Sequence, residues 1–165
     1  MIDFFIGLAT TFGYLGVFIA SVIGSASVIL PMPLFVLIFF AGGFLNPFLV
    51  GIMAGIGSAI GELIAYAVGF GSRKIIDRKK RKVKSNLIKW FRIGESWMHR
   101  RGGFFVVFIF ALTPLPDDII GIICGSIKYD LKKFFIACAL GKILLSLGIA
   151  YAGYYGVTWV LQYLG

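Results

Sequence analysis

Four ionisable side chains lie within otherwise apolar sequence: Glu62, Asp117, Asp118 and Lys142. At the centre of a membrane helix each would cost about 2.5–3.5 kcal/mol, so such groups are kept for a partner or a function. Asp117 and Asp118 are neighbours. Two adjacent carboxylates in a low dielectric repel, so one should hold its proton more tightly, the chemistry of a proton or cation site. Capping of a helix N-terminus accounts for one of them but less well for both. Glu62 falls within roughly 40° of Gly51, Gly55, Ser58, Ala65 and Gly69 on a helical projection. Such a small-residue face lets a neighbouring helix approach, so Glu62 should point into a bundle, either as half of an ion pair or as a proton-binding group. Lys142 shares a face with Ser146, Ile149, Gly153 and Gly156. It either pairs with Glu62 or an aspartate, or snorkels to the headgroups beyond Lys133. Thr113 either bonds backbone groups freed by a helix break or lines a substrate path. No metal spacing, nucleophile elbow or phosphate loop is present, and the aspartates lack the glycine context of an intramembrane aspartyl protease. The expectation is a protein that is not an enzyme and needs no metal or cofactor.

The segments that must carry these groups occur twice. Pro31-Met32-Pro33 lies in one apolar stretch with Gly42 downstream, and Pro114-Leu115-Pro116 lies in another with Gly125 at the same distance. Ile64-Ala65-Tyr66-Ala67 is echoed by Ile149-Ala150-Tyr151-Ala152. The copies are offset by 83 residues at the prolines and 85 at the tyrosines. Proline lacks an N–H and restricts its predecessor, so a straight helix through either pair is not expected. Pro31, Pro33, Thr113, Pro114 and Pro116 should therefore mark the tips of two broken segments. Paired broken segments in two halves of a membrane chain are a transporter pattern.

The bulk composition fits. Of 165 residues 59% are hydrophobic, mean hydropathy is +0.96, and only residues 72–102 form a polar stretch of any length. The expectation is one membrane domain, 1–165, with a first repeat at about 12–71 and a second at about 103–156. Twelve of the sixteen Lys and Arg residues lie between Arg73 and Arg101, and Lys128, Lys132 and Lys133 follow the second broken segment. Charge placed at the flanks of apolar segments is a topology signal rather than a nucleic-acid signal. Apolar stretches fall at about 4–24, 25–46, 47–71, 103–127 and 134–161. Five full spans would put the two basic clusters on opposite faces. Two re-entrant hairpins (25–46 and 103–127) and three crossings put both in the cytoplasm. The arms 103–112 and 119–127 would each rise about 15 Å, half of the ~30 Å hydrocarbon core. The two tips would then approach from opposite leaflets as an inverted repeat. The first stretch reads as a retained helix rather than a signal peptide.

Between the halves, Val83, Leu87, Trp90, Phe91, Gly94, Trp97 and Met98 share a face, which suggests an amphipathic helix on the cytoplasmic leaflet. His99 lies on it as a headgroup-facing residue. Trp159 and Tyr163 would mark the outer interface. Cys124 and Cys138 read as buried free thiols.

With Pro31-Met32-Pro33, Ala41-Gly42, Gly57-Ser58-Ala59-Ile60-Gly61-Glu62, Tyr66, Gly69, Ala111-Leu112-Thr113-Pro114-Leu115-Pro116-Asp117-Asp118, Gly125 and Gly153-Tyr154-Tyr155-Gly156, the chain resembles the DedA family, the prokaryotic branch of the VTT-domain or SNARE-associated Golgi protein superfamily. The resemblance implies two opposed re-entrant hairpins and a role in moving lipid: polyprenyl-phosphate carriers with proton-motive-force dependence in bacterial relatives, phospholipid scrambling in eukaryotic ones. Glu62 matches the family's acidic residue after glycine. Two features of typical bacterial members are missing. An acid after the first hairpin's proline is replaced by Leu34 and Phe35, and arginines around the second by Ala111 and Asp117. The loss of those arginines weakens phosphate binding at that place, and the short C-terminus suggests that the family's last helix is missing. The expected function is proton-coupled movement of a phospholipid or polyprenyl phosphate between leaflets. Asp117, Asp118 and Glu62 would bind the ion and Lys142 would balance charge. The alternatives are a non-transporting scaffold, or an ion or small-solute transporter. Expected partners are membrane lipids and protons or cations, with no nucleic acid; homo-oligomerisation is left open.

Overall fold

The computed structural model describes residues 13–25, 31–79, 102–113 and 118–164. Among them are six helices and no strand: α1 (Tyr14–Ser25), α2 (Pro31–Phe44), α3 (Pro47–Lys79), α4 (Gly103–Leu112), α5 (Asp118–Ser126) and α6 (Leu131–Leu164). The order is short, short, long, then short, short, long.

Local chemistry sets these boundaries. Pro31 and Pro33 both sit in the first turn of α2, where helix N–H groups have no intrahelical partner and a missing donor costs nothing. They start a helix rather than interrupt one. The first broken segment is therefore α1 plus α2, and not two arms within 25–46 as the proline spacing suggests. In α3 the Asn46 side chain accepts hydrogen bonds from the N–H groups of Phe48 at 3.0 Å and Leu49 at 3.4 Å, with Pro47 at the first helical position. α4 ends at Thr113, directly before Pro114, as the restriction on residues preceding proline requires. α5 closes with Lys128 at φ 54°. There the Lys128 N–H bonds to the Gly125 carbonyl at 3.1 Å and the Tyr129 N–H to the Cys124 carbonyl at 2.9 Å, which satisfies two orphan carbonyls.

The cap of α6 carries a pH signature. The Lys133 N–H donates to Asp130 Oδ1 at 3.0 Å, and that bond, first among the causes, holds the exposed carboxyl below its usual range. A depressed carboxylate contributes stability that is present above the unfolded-state pKa and is lost as pH falls through the folded value. Acid titration of thermal stability should therefore show a small component that disappears in Asp130→Asn, since the amide caps without titrating.

The long helices differ in extent from expectation. α3 does not stop at Gly71 but runs on through Arg73 and Arg78 to Lys79, and α6 begins at Leu131. Among the described residues two helices, Pro47–Gly71 and Leu131–Trp159, are long and apolar enough to cross a membrane. The expected crossing at about 4–24 is described only from residue 13, where α1 has 12 residues. The amphipathic face at 83–98 lies outside the described residues, with His99.

Packing exchanges the two halves. α3 and α6 pack together; α1 packs on its own long helix α3, and α4 on its own α6. The second short helix of each half instead lies across the other half's long helix, α2 on α6 and α5 on α3. Glycines allow this. Gly42 meets the backbone of Ala150 and Gly125 that of Tyr66; Gly153 meets Phe39 and Gly69 meets Ile122. Phe39 and Ile122 are 83 residues apart, as are Gly42 and Gly125. Tyr66 and Ala150 are 84 apart, as are Gly69 and Gly153, and the caps Asn46 and Asp130. The contacts thus repeat the sequence periodicity, with a one-residue rather than two-residue slip in the long helices.

Gly51 on α3 faces Leu147 and Gly55 faces Ile143, so α3 and α6 cross antiparallel. Their N-termini, with the corners at Asn46 and Asp130, lie at opposite ends. The Asp130 corner meets the far end of α3's apolar stretch: the Tyr66 hydroxyl donates to the Tyr129 carbonyl at 2.6 Å, and Lys128 Nζ lies 5.7 Å from the Phe70 ring centroid. Lys128, Lys132 and Lys133 are exposed at that end, and Arg73 follows Phe70 by three residues. Both basic clusters start at the same end of the bundle.

The solvent pattern is inverted relative to a water-soluble protein. Leu15, Ile19 and Ile23 on α1, Phe105 and Ile109 on α4, and Ile136, Leu140 and Leu144 on α6 are exposed, while Ser21, Ser58, Glu62, Lys142 and Ser146 are buried. Large apolar side chains on the outside and small or polar ones between helices are what a hydrocarbon surrounding selects.

Candidate functional site: a buried charge pair at the seam of the two halves

Glu62 is 2% exposed, on the part of α3 that meets α1, α5 and α6. Lys142 Nζ on α6 lies 3.3 Å from Glu62 Oε1. The small-residue face of α3 lets α6 approach closely enough for this reach. Of the two readings open for Lys142, pairing with Glu62 is the one observed; the side chain is buried rather than snorkelled. Ser25, the last residue of α1, donates from Oγ to the same Glu62 oxygen at 3.2 Å. One carboxylate oxygen therefore joins the end of α1, the middle of α3 and the middle of α6.

On its other side Glu62 borders a small, partly open recess, whose remaining lining is Val107, Ala111, Ile120, Phe134 and Cys138. α4, α5 and α6 supply those walls, so the carboxylate stands between an α1 contact and an apolar recess in the second half. Charges in such surroundings interact strongly, because little water screens them.

Asp118 occupies the first turn of α5 and is buried at 8% exposure. One turn later Gly121 packs against Ala65 and the Glu62 backbone, which places Asp118 at the mouth of the α3–α5 contact. The helix N-terminus there favours a carboxylate through its free N–H groups and dipole. Thr113 takes the role of satisfying freed backbone: its Oγ1 donates to the Phe110 carbonyl at 2.9 Å. Asp117, Pro114 and Pro116 lie outside the described residues. Pro31 and Pro33 belong to the first turn of α2, a helix that packs mainly on α6. Among the described residues no group of three or more His, Cys, Asp and Glu side chains is placed to hold a metal ion.

Ser25 is the site residue that motif reading misses. Its signal was a polar residue four positions after Ser21 in an apolar run, a spacing that puts both on one helical face.

Residues 32–155 match the VTT domain. The chain is 33% identical to an alkaline phosphatase-like protein of Lactococcus lactis subsp. cremoris, over 91% of this chain and 76% of the relative. A protein of the same description from Lactococcus lactis subsp. lactis is 31% identical over 93% and 75%. An uncharacterised protein of Methanocaldococcus jannaschii is 27% identical over 86% and 84%. No solved structure gives a significant match. VTT-domain proteins are membrane proteins and not a known enzyme family. The repeated broken segments, the small-residue face that carries Glu62 on α3 and the match over most of the chain make it a member of the VTT-domain family, the DedA/SNARE-associated group.

Proposed function

We propose that this chain moves a phospholipid or lipid-linked phosphate between leaflets, coupled to protons. The observation that supports this reading best is the placement of Glu62. An acid paired with Lys142 and held by Ser25 at the junction of two pseudo-equivalent halves is a group whose charge state can set how the halves pack. α1–α2 and α4–α5 serve as two re-entrant hairpins that enter from opposite leaflets, and α3 and α6 cross the bilayer. The basic stretch after Phe70 and Lys128–Lys133 then both face the cytoplasm. Asp117 and Asp118 bind the coupling proton, Glu62 relays or pairs, and Lys142 balances charge. Rocking of one half against the other gives alternating access.

Reconstitution tests this. Purified protein in proteoliposomes should exchange headgroup-labelled phospholipid or polyprenyl phosphate. The Asp117→Asn, Asp118→Asn double variant should slow exchange roughly tenfold or more, about 1.4 kcal/mol in the barrier, while remaining monodisperse. Unchanged exchange would remove the ion site. The alternative reading, a non-transporting scaffold, is favoured by the completeness of the Glu62–Lys142–Ser25 contact. It expects no exchange in the unaltered protein. Solute flux without lipid flux would instead favour an ion or small-solute transporter.

A further inference from the structure

Ser21 lies one turn before Ser25 on the same face of α1. It is 0% exposed, and its hydroxyl has no hydrogen-bond partner among the described residues. It packs against Gly57 on α3, where an added Cβ would stand 3.0 Å from the Ser21 Cβ. Ser58, the next residue, is buried as well. A buried hydroxyl without a partner is costly, and such groups in native interiors mark bound water. Ser21 and Ser25 are four helical residues apart, about 6 Å along the axis. Hydroxyls turned toward each other from that spacing come within the roughly 4.5–5.5 Å that one shared water spans.

We infer that a buried water bridges Ser21 and Ser25, and that this water is the immediate proton donor and acceptor of Glu62. The inference rests on the proton-coupled reading above and adds the path. Protonation proceeds by exchange along hydrogen bonds. A protonated water gives a proton to Ser25 Oγ, and the proton already on that oxygen passes to Glu62 Oε1, 3.2 Å away. Water, serine and the acid end with every O–H bond accounted for. Reversal discharges Glu62. Beyond Ser21 the α1–α3 contact is dry: Val17, Ala20, Val50 and Ala54 are all fully buried. The water site is thus closed from the Asn46 end in this conformation.

The titratable groups beside Glu62 on the packed helices are Lys142 and Cys138 on α6; Asp118 is buried in the first turn of α5, which packs on α3, and α4 carries none. Tyr66, one turn along α3, directs its hydroxyl away to the Tyr129 carbonyl. α2 carries no titratable residue, and the only one on α1 is Tyr14, which bonds the Asn46 N–H at the far corner.

Ser21→Ala separates a proton-path hydroxyl from a structural one. Because only the bridging water partners this hydroxyl, its deletion should lower the melting temperature only slightly. Proton-coupled lipid exchange should nonetheless fall roughly fivefold or more, as a barrier on the proton path requires. An acid-jump infrared measurement on purified protein gives a readout that does not depend on transport. It follows the rate at which the Glu62 carboxylate band converts to the acid, the band being assigned by its loss in the Glu62→Gln, Lys142→Met double variant. A slower conversion in Ser21→Ala supports the water site. An unchanged rate, or a fall in melting temperature that accounts for the loss, overturns it. Absence of lipid exchange in the unaltered protein would refute the transport reading alone, and the infrared rates would still decide the water site.

Discussion

Glu62→Gln is expected to cost about 3–5 kcal/mol of stability, because it strands the Lys142 ammonium in the interior beside a neutral amide. Lys142→Met, which strands the Glu62 carboxylate, should cost a similar amount. The two together should cost far less than their sum, since a neutral pair of similar volume removes both desolvation penalties at once. The measurement is a double-mutant cycle on thermal or denaturant unfolding in detergent, which tests whether the 3.3 Å contact is energetically real. Additive losses would mean that each side chain is supported by something else. The folded double variant is also the right protein for transport. If Glu62 works through its charge, exchange is lost although the fold survives. If the pair only holds the helices, exchange persists.

The second large effect belongs to the glycines at the exchanged contacts. A Cβ at Gly42 would fall on the Ala150 carbonyl, and one at Gly125 on the Tyr66 carbonyl and Phe70 nitrogen. Backbone cannot yield as a flexible side-chain end can, so even alanine must push α2 off α6 or α5 off α3. Overpacking of this kind costs about 1–3 kcal/mol and sometimes more. The near-equivalence of the two positions means that the two losses should be of similar size. Gly148 is the control: it lies mid-helix in α6 with nothing within 4 Å of an added Cβ. Gly148→Ala should be neutral or stabilising by up to ~1 kcal/mol through helix propensity. Melting temperatures of the three alanine variants, measured side by side, decide whether close approach or composition explains these glycines.

Much of this arrangement is written in residue types. The arms of the second broken segment, expected at 103–112 and 119–127, are observed at Gly103–Leu112 and Asp118–Ser126, because Thr113-Pro114 is an unambiguous stop. The inward direction of Glu62 was legible from its glycine and serine neighbours, since small residues at helical spacing have no other strong reason to share a face. The first break was harder. Pro31 and Pro33 signal both the end of one helix and the start of another, and only the neighbouring α1 settles that they belong to a first turn. The extension of α3 to Lys79 was hidden by charge, which ends a membrane span without ending a helix; nothing in Ser72–Lys79 breaks one. The Ser25–Glu62 bond joins residues 37 apart in sequence, and no local pattern encodes such a contact. Asp118 was visible as a charge in an apolar run. Its position one turn from the Gly121 contact with α3 needed the packing of α5 across the other half.

The inverted arrangement itself is open to a direct test. Cysteines placed singly at positions 45 and 130, in a background where the buried Cys124 and Cys138 are replaced by alanine, report the two corners that begin α3 and α6. A membrane-impermeant thiol reagent applied to intact cells should label position 45, and should label position 130 only after the membrane is opened. Labelling of both from the same face would contradict the opposed hairpins and, with them, the placing of Glu62 between two halves that face opposite leaflets.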